Sequence, residues 1–179
     1  SSLKSIDLSY ITAVESSVFY GCSSLESVKI PEGITTITYS MFYNCSSLKS
    51  VELPQSIKRF DKYACQGCSA LESITLPEGV EVIGQQAFCY CSSLTTITIP
   101  TSVTSIGDSA FLCCPLTSVY CKRVTPPSLL GKWVFMRDKQ GNTYYPMNGK
   151  IYVPSGSENA YKNAANWSVY SNIITGYDF

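Results

Sequence analysis

Histidine is missing from this 179-residue chain. That removes the commonest general base and the commonest metal ligand, and leaves any cysteine nucleophile without its usual activating partner. Charge is scarce as well. Thirteen basic and thirteen acidic side chains cancel, and charged residues make up 15% of the chain, against about 25% in ordinary globular domains. No Lys/Arg cluster stands out, so neither nucleic acid nor an anionic membrane surface is expected as a partner. No apolar run approaches the roughly 20 residues of a membrane span, and no membrane insertion is expected. The GxSxG, Walker, HExxH and GxGxxG patterns are absent too. The sequence therefore points to no catalytic residue, no cofactor and no metal.

What the chain does have is a period. Cys22, Cys45, Cys68, Cys91 and Cys114 follow one another at steps of 23 residues. Each opens nearly the same phrase: CSSLESVKIP, CSSLKSVELP, CSALESITLP, CSSLTTITIP, then the altered CPLTSVYC. A fixed step of this size marks a solenoid of stacked coils. In the coil 22–44, Val28 and Ile30 alternate as one strand face should, and Leu25 enters the core at the bend. Pro31 ends the strand for want of a donor. Glu32 and Gly33 signal a turn, after which Ile34, Ile37, Met41 and Phe42 point inward.

Later coils repeat these places with Leu48, Val51 and Leu53, with Leu71, Ile74 and Leu76, and with Leu94, Ile97 and Ile99. Stacking like residues at about 4.8 Å predicts a parallel sheet on one side. Short irregular or 3-10 returns are expected opposite it. One column deviates: Phe19, Phe42, Cys65, Phe88, Phe111. Where Phe becomes Cys65, the neighbouring Ile position becomes Phe60, and the exchange conserves volume. Phe60 is expected to fill the space beside Cys65.

The unit C-S-x-L-x-x-[IV]-x-[IL]-P-x-x-[IV]-x-x-[IF]-x-x-x-[AM]-F resembles the BspA-type leucine-rich repeats, over about residues 3–121. The tail IYVPSGSENAYKNAANWSVYSNI is similar to the C-terminal ending of such Bacteroides-like surface proteins. The resemblance implies a right-handed leucine-rich-repeat solenoid used in adhesion or protein binding, located extracellularly or on the bacterial cell surface. Residues 1–121 are read as the solenoid. Leu3, Ile6 and Leu8 match Leu25, Val28 and Ile30, so further coils or a cap are expected upstream. Residues 122–149 break the period, and KQGN between WVFMRD and TYYPM reads as a hairpin turn. Residues 122–179 are read as a C-terminal capping segment of the same domain, since a solenoid must hide its apolar end. It is expected to hold a last strand at 150–153 and a short helix near 157–166, with Ser155 and Glu158 at capping-box spacing.

Three features offer candidate sites. The cysteine column fits small buried thiols at each bend, while disulfides, or thiolate ligation by Cys65-x-x-Cys68 and Cys89-x-Cys91, remain open. The outward face of the sheet carries one column of Lys4, Glu26, Lys49, Glu72 and Thr95, and another of Asp7, Lys29, Glu52, Thr75, Thr98 and Tyr120. Alternating signs suit a ladder that fixes register. The uncharged, hydroxyl-rich half around Thr75, Thr96, Thr98, Ser118 and Tyr120 suits a polar ligand. Tyr20 and Tyr43 occupy equivalent places and should stack on an edge, with Tyr39, Tyr63 and Tyr90 at further surface positions. Trp133, Tyr144, Tyr145, Tyr161 and Trp167 are read as packing within the C-terminal segment.

The expected function is a non-enzymatic extracellular binding or adhesion module that engages a protein or glycan of a host or microbial surface. The alternative is a structural spacer within a larger surface protein. A binding module should show a coherent exposed aromatic or apolar patch, and a spacer only scattered polar surface.

Overall fold

A computed structural model describes residues 4–8, 10–137 and 144–179. Along the chain run β1 (Ser27–Lys29), β2 (Thr36–Ile37), β3 (Ser50–Glu52), β4 (Arg59–Phe60) and β5 (Val82–Ile83). There follow β6 (Thr96–Ile99), β7 (Ser105–Ile106), β8 (Ser118–Cys121), β9 (Ser128–Leu129) and β10 (Lys150–Pro154). Helix α1 (Glu158–Asn163), a 3-10 helix (Ser168–Ile173) and β11 (Ile174–Tyr177) complete it. Every ladder between these strands is parallel. The architecture is the β-rich leucine-rich-repeat solenoid expected from the repeat.

The sequence period becomes spatial register. Val28 lies opposite Val51, and Ile37, Phe60, Ile83, Ile106 and Leu129 follow one another through the return sheet β2-β4-β5-β7-β9. The phrase CPLTSVYC is one residue short, so Thr96 lies opposite Ser118, 22 positions on. Alternation of buried and exposed residues puts Leu25, Val28, Ile30 and their counterparts into one continuous core. Phe19 and Phe42 stack at 5.5 Å. Phe60 then takes the place left at Cys65, 5.1 Å from Phe88, and the column runs on through Phe111 to Phe135. The column thus extends past Cys121, with a 24-residue step from Phe111 to Phe135.

The return side is better ordered than the expected irregular segment. Beyond its two-residue strands, alternate amides of each turn bond to the next coil. Ser17, Phe19 and Gly21 donate to the carbonyls of Tyr39, Met41 and Tyr43 at 2.9, 3.1 and 2.7 Å. Alternating bonds within and between coils require two left-handed residues per turn. One such column is Ser17, Ser40, Tyr63, Gln86 and Ser109; the other is Gly21, Asn44, Gly67, Tyr90 and Cys113. Most carry a side chain at φ between 51° and 64°, which costs roughly 1–2 kcal/mol each. The inter-coil bonds, which leave these backbone groups satisfied, offset that cost.

The front sheet is not continuous. It splits into β1-β3 and β6-β8-β10-β11. Among the described residues, no hydrogen bond joins residues 72–76 to the coil on either side, although Leu71, Ile74 and Leu76 stay buried. The same level holds together on its return side, where β5 pairs with both β4 and β7.

The tail closes over the end of the return sheet. Trp167 Nε1 donates to the carbonyl of Pro127 and Asn166 Nδ2 to that of Leu129, both at 2.8 Å. Tyr161 and Tyr170 hydroxyls donate to Arg123 and Lys132 carbonyls at 2.6 and 2.8 Å. These side chains stand where another coil's amides would, so carbonyls in and around the edge strand β9 do not go unpaired. The KQGN turn lies outside the described residues, but its flanks meet in an antiparallel bridge between Met136 and Pro146. Helix α1 is shorter than expected, and the Ser155 capping box does not form. Ser157 occupies the N-cap without a side-chain bond. Ser155 lies outside the first turn and donates instead to the Asp178 carboxylate at 2.5 Å, a charge-assisted bond stronger than one to a neutral acceptor.

Candidate functional site

The charged half of the front face behaves as a ladder. Glu26 takes Lys49 at 3.2 Å and Lys4 at 3.6 Å, and Lys29 meets Glu52 at 2.6 Å. The hydrogen bond and charge of Lys49, helped by Lys4, hold the Glu26 carboxyl below its ordinary range. The Glu52 carboxylate, by hydrogen bond and charge, raises Lys29. The ladder ends where the backbone pairing ends.

The hydroxyl-rich half begins at that break. Thr75 and Thr98 line a cleft of about 360 Å³ with Gln55, Glu78 and Lys122. Glu78 and Lys122 bridge two coils across its rim at 2.9 Å. A second cleft, of about 290 Å³, lies on the other side of the same segment, sharing Gln55 and Thr75 with the first and adding Ser50, Glu52 and Ser73. Thr96 pairs with Ser118 and Thr98 with Tyr120 across β6 and β8. The five expected front-face residues therefore form one neighbourhood.

Tyr120 opens an aromatic cluster that sequence reasoning missed. Tyr152 stacks on it at 4.7 Å, and Tyr177 and Phe179 approach edge-on at 5.5 and 6.4 Å. Tyr177 and Phe179 are exposed. The signal was present in the alternation Ile151, Tyr152, Val153, which turns Tyr152 outward. The missing piece was the register, because residue 150 pairs with residue 118 after an excursion outside the 23-residue step.

Tyr20 and Tyr43 lie elsewhere, on the turn that follows the return sheet. They stack at 4.8 Å with rings 4° from parallel. Tyr63 stands edge-on to Tyr43 at 6.3 Å and to Tyr39 at 5.7 Å. With Ser17, Ser40, Gln66 and Gln86 these four tyrosines line a cleft of about 340 Å³. The tail aromatics divide. Tyr161 and Trp167 are buried, as is Tyr170, whereas Trp133 and Tyr145 are exposed.

No disulfide links any of the nine cysteines, and seven of them are buried. Cys45, Cys68, Cys91 and Cys114 each donate their thiol to a carbonyl of the preceding coil, at 3.0 to 3.3 Å. Burial pushes Cys45 and Cys89 up to about 12 and raises Cys91 and Cys121 as well. For Cys65 the thiol contact with Cys68 comes first, then burial. Such thiols stay protonated at neutral pH, and neither metal ligation nor nucleophilic attack uses the protonated form. Among the described residues, no group of three or more Cys, Asp or Glu is placed to hold a metal ion. No described helix is long and apolar enough to cross a membrane.

The family profile of the BspA type leucine rich repeat region matches residues 1–139 in six copies. A leucine-rich-repeat protein of T. pallidum superposes with a TM-score of 0.63 at 33% identity, covering 68% of this chain and 60% of its own. One from Bacteroides ovatus gives 0.59 at 25% identity, covering 81% and 47%. The pneumococcal vaccine antigen PcpA gives 0.61 over 97% of this chain and 40% of its own, but at 19% identity that likeness concerns fold alone. The chain thus spans between two fifths and three fifths of the length of these structures. No curated protein matches it. Profile, stacking register and solved neighbours agree: the chain belongs to the BspA-type leucine-rich-repeat family, repeat proteins of bacterial surface-protein type.

Proposed function

We propose that this chain is a non-catalytic binding module, presented outside the cell on a bacterial surface, that engages a protein or glycan through its front face. The observation that carries the reading is the aromatic cluster of Tyr120, Tyr152, Tyr177 and Phe179, continuous with the hydroxyls of Thr96, Thr98 and Ser118. Amphipathic aromatics concentrate at binding surfaces because they bury large area and keep a polar tip. A spacer has no need of four aromatic rings gathered on one wall. The solenoid itself is typically a scaffold for binding rather than catalysis. Within the module, residues 1–121 supply Tyr120 and the hydroxyls of the binding surface, and residues 122–179 add Tyr152, Tyr177 and Phe179. Residues 122–179 act as its end cap: within this segment the side chains of Tyr161, Asn166, Trp167 and Tyr170 bond to carbonyls between Arg123 and Lys132, around the last return strand.

The test is a screen of the purified chain against immobilised extracellular-matrix proteins and a glycan array. A saturable hit that Tyr120→Ala and Tyr177→Ala weaken at least tenfold supports the proposal. Absence of any hit favours the spacer.

A further inference from the structure

A second surface points to a ligand class. We propose that the cleft of Tyr20, Tyr39, Tyr43 and Tyr63 takes a neutral oligosaccharide. The inference rests on reading the chain as a binding module, but it concerns a different wall and a different variant set.

Three properties of the cleft select this ligand. First, its lining carries hydroxyls and amides but no carboxylate, ammonium or guanidinium group. Beside the cleft, Lys62 Nζ sits 4.6 Å over the Tyr63 ring, outside the lining. The site therefore does not discriminate in favour of a charged ligand. Second, Tyr20 and Tyr39 are 57% and 46% exposed although they border the cleft. Electron-rich ring faces attract the weakly polarised C–H bonds of a pyranose. At about 340 Å³ the cleft falls within the roughly 300–1,000 Å³ of small-ligand sites.

Third, Gln66 continues the column of Tyr20 and Tyr43, and its Oε1 is buried with no hydrogen-bond donor from the described residues. A buried acceptor without a partner is destabilising, because it has lost its water and gained nothing in return. The ligand that relieves it must bring a donor. This separates two occupants of aromatic clefts. A proline-rich peptide presents carbonyl acceptors and few N–H donors, whereas each sugar hydroxyl both donates and accepts. Gln86, on the same wall, offers the second amide for a neighbouring hydroxyl.

The experiment is isothermal titration of the whole chain with maltohexaose, cellohexaose and chitohexaose, beside decaproline and a heparin hexasaccharide. Expected is binding of at least one neutral hexasaccharide, weakened about tenfold or more by Tyr39→Ala and by Gln66→Leu, and no binding of decaproline or heparin. Thermal melts of both variants establish that they remain folded, and Tyr39→Phe, which keeps the ring, should retain binding. Preference for decaproline overturns the inference, as does binding that survives Gln66→Leu or silence of all three neutral sugars. A sugar signal abolished by Tyr120→Ala and untouched by Tyr39→Ala also overturns it, while leaving the front-face reading intact.

Discussion

The Cys68 thiol donates to the carbonyl of Phe42, 26 residues earlier, at 3.1 Å. That carbonyl already accepts the amide of Cys45 within its own turn. Each corner carbonyl thus closes a turn with one lone pair and ties the next coil down with the other. Cys45, Cys91 and Cys114 do the same at Phe19, Cys65 and Phe88. Cys68→Ala removes a bond and a buried sulfur, and should lower stability by roughly 1–3 kcal/mol, read from the urea midpoint. An unchanged midpoint would show that the thiol is only filler.

The same burial sets the response to base. In the unfolded chain Cys45 and Cys89 ionise near their ordinary 9.0, but in the fold only near 12. Between those values the unfolded chain holds fewer protons than the folded one, so stability falls as pH rises. Burial also raises Tyr161 and Tyr170 above 10.0, which steepens the fall past pH 10. The urea midpoint should hold from pH 7 to about 8.5 and drop by pH 11. A midpoint level through pH 11 contradicts this. At pH 8 a thiol reagent should reach half-exposed Cys22 and Cys113 in the native chain, and all nine cysteines only after denaturation.

Coil spacing is limited by Gly107. A Cβ there would stand 2.3 Å from the Gln85 amide nitrogen and 2.5 Å from the Gly84 carbonyl carbon. Both are backbone atoms that cannot swing away. Gly107→Ala should therefore cost about 3 kcal/mol, at the upper end of overpacking effects. Gly33→Ala, which meets nothing within 4 Å but lies at φ 90°, should cost about 1 kcal/mol through backbone strain alone. Thermal melts of the pair test the order.

Trp167 combines packing with a bond, being fully buried while its Nε1 holds the Pro127 carbonyl. Trp167→Phe keeps most of the ring and loses the donor, for about 1–3 kcal/mol. Trp167→Ala should cost about 3–5 kcal/mol. Equal losses would mean that the hydrogen bond contributes nothing.

The core was legible because a 23-residue step repeats the inward positions, and even the exchange at Phe60 and Cys65 could be read as volume. The column of Tyr20 and Tyr43 followed from the same step. Other features depend on relations that no local pattern encodes. Residues 71–76 read L-x-x-I-x-L like their neighbours, yet form no ladder, and nothing in their local pattern marks the difference. Tyr152 reaches Tyr120 only through a register set by the excursion after Met136. Ser155 had the spacing of a cap, but Asp178, distant in sequence, competes for its hydroxyl. Trp133, read as packing within the C-terminal segment, lies against Tyr144 there and yet is exposed, because what covers a ring depends on the chain around it.

The gap at residues 72–76 divides the array mechanically. Tension applied along the stack crosses this level through the return sheet, the corner bonds and side-chain contacts, with no backbone ladder on the front face to share it. The two clefts that share Thr75 therefore flank a segment held by side-chain burial rather than by ladder bonds.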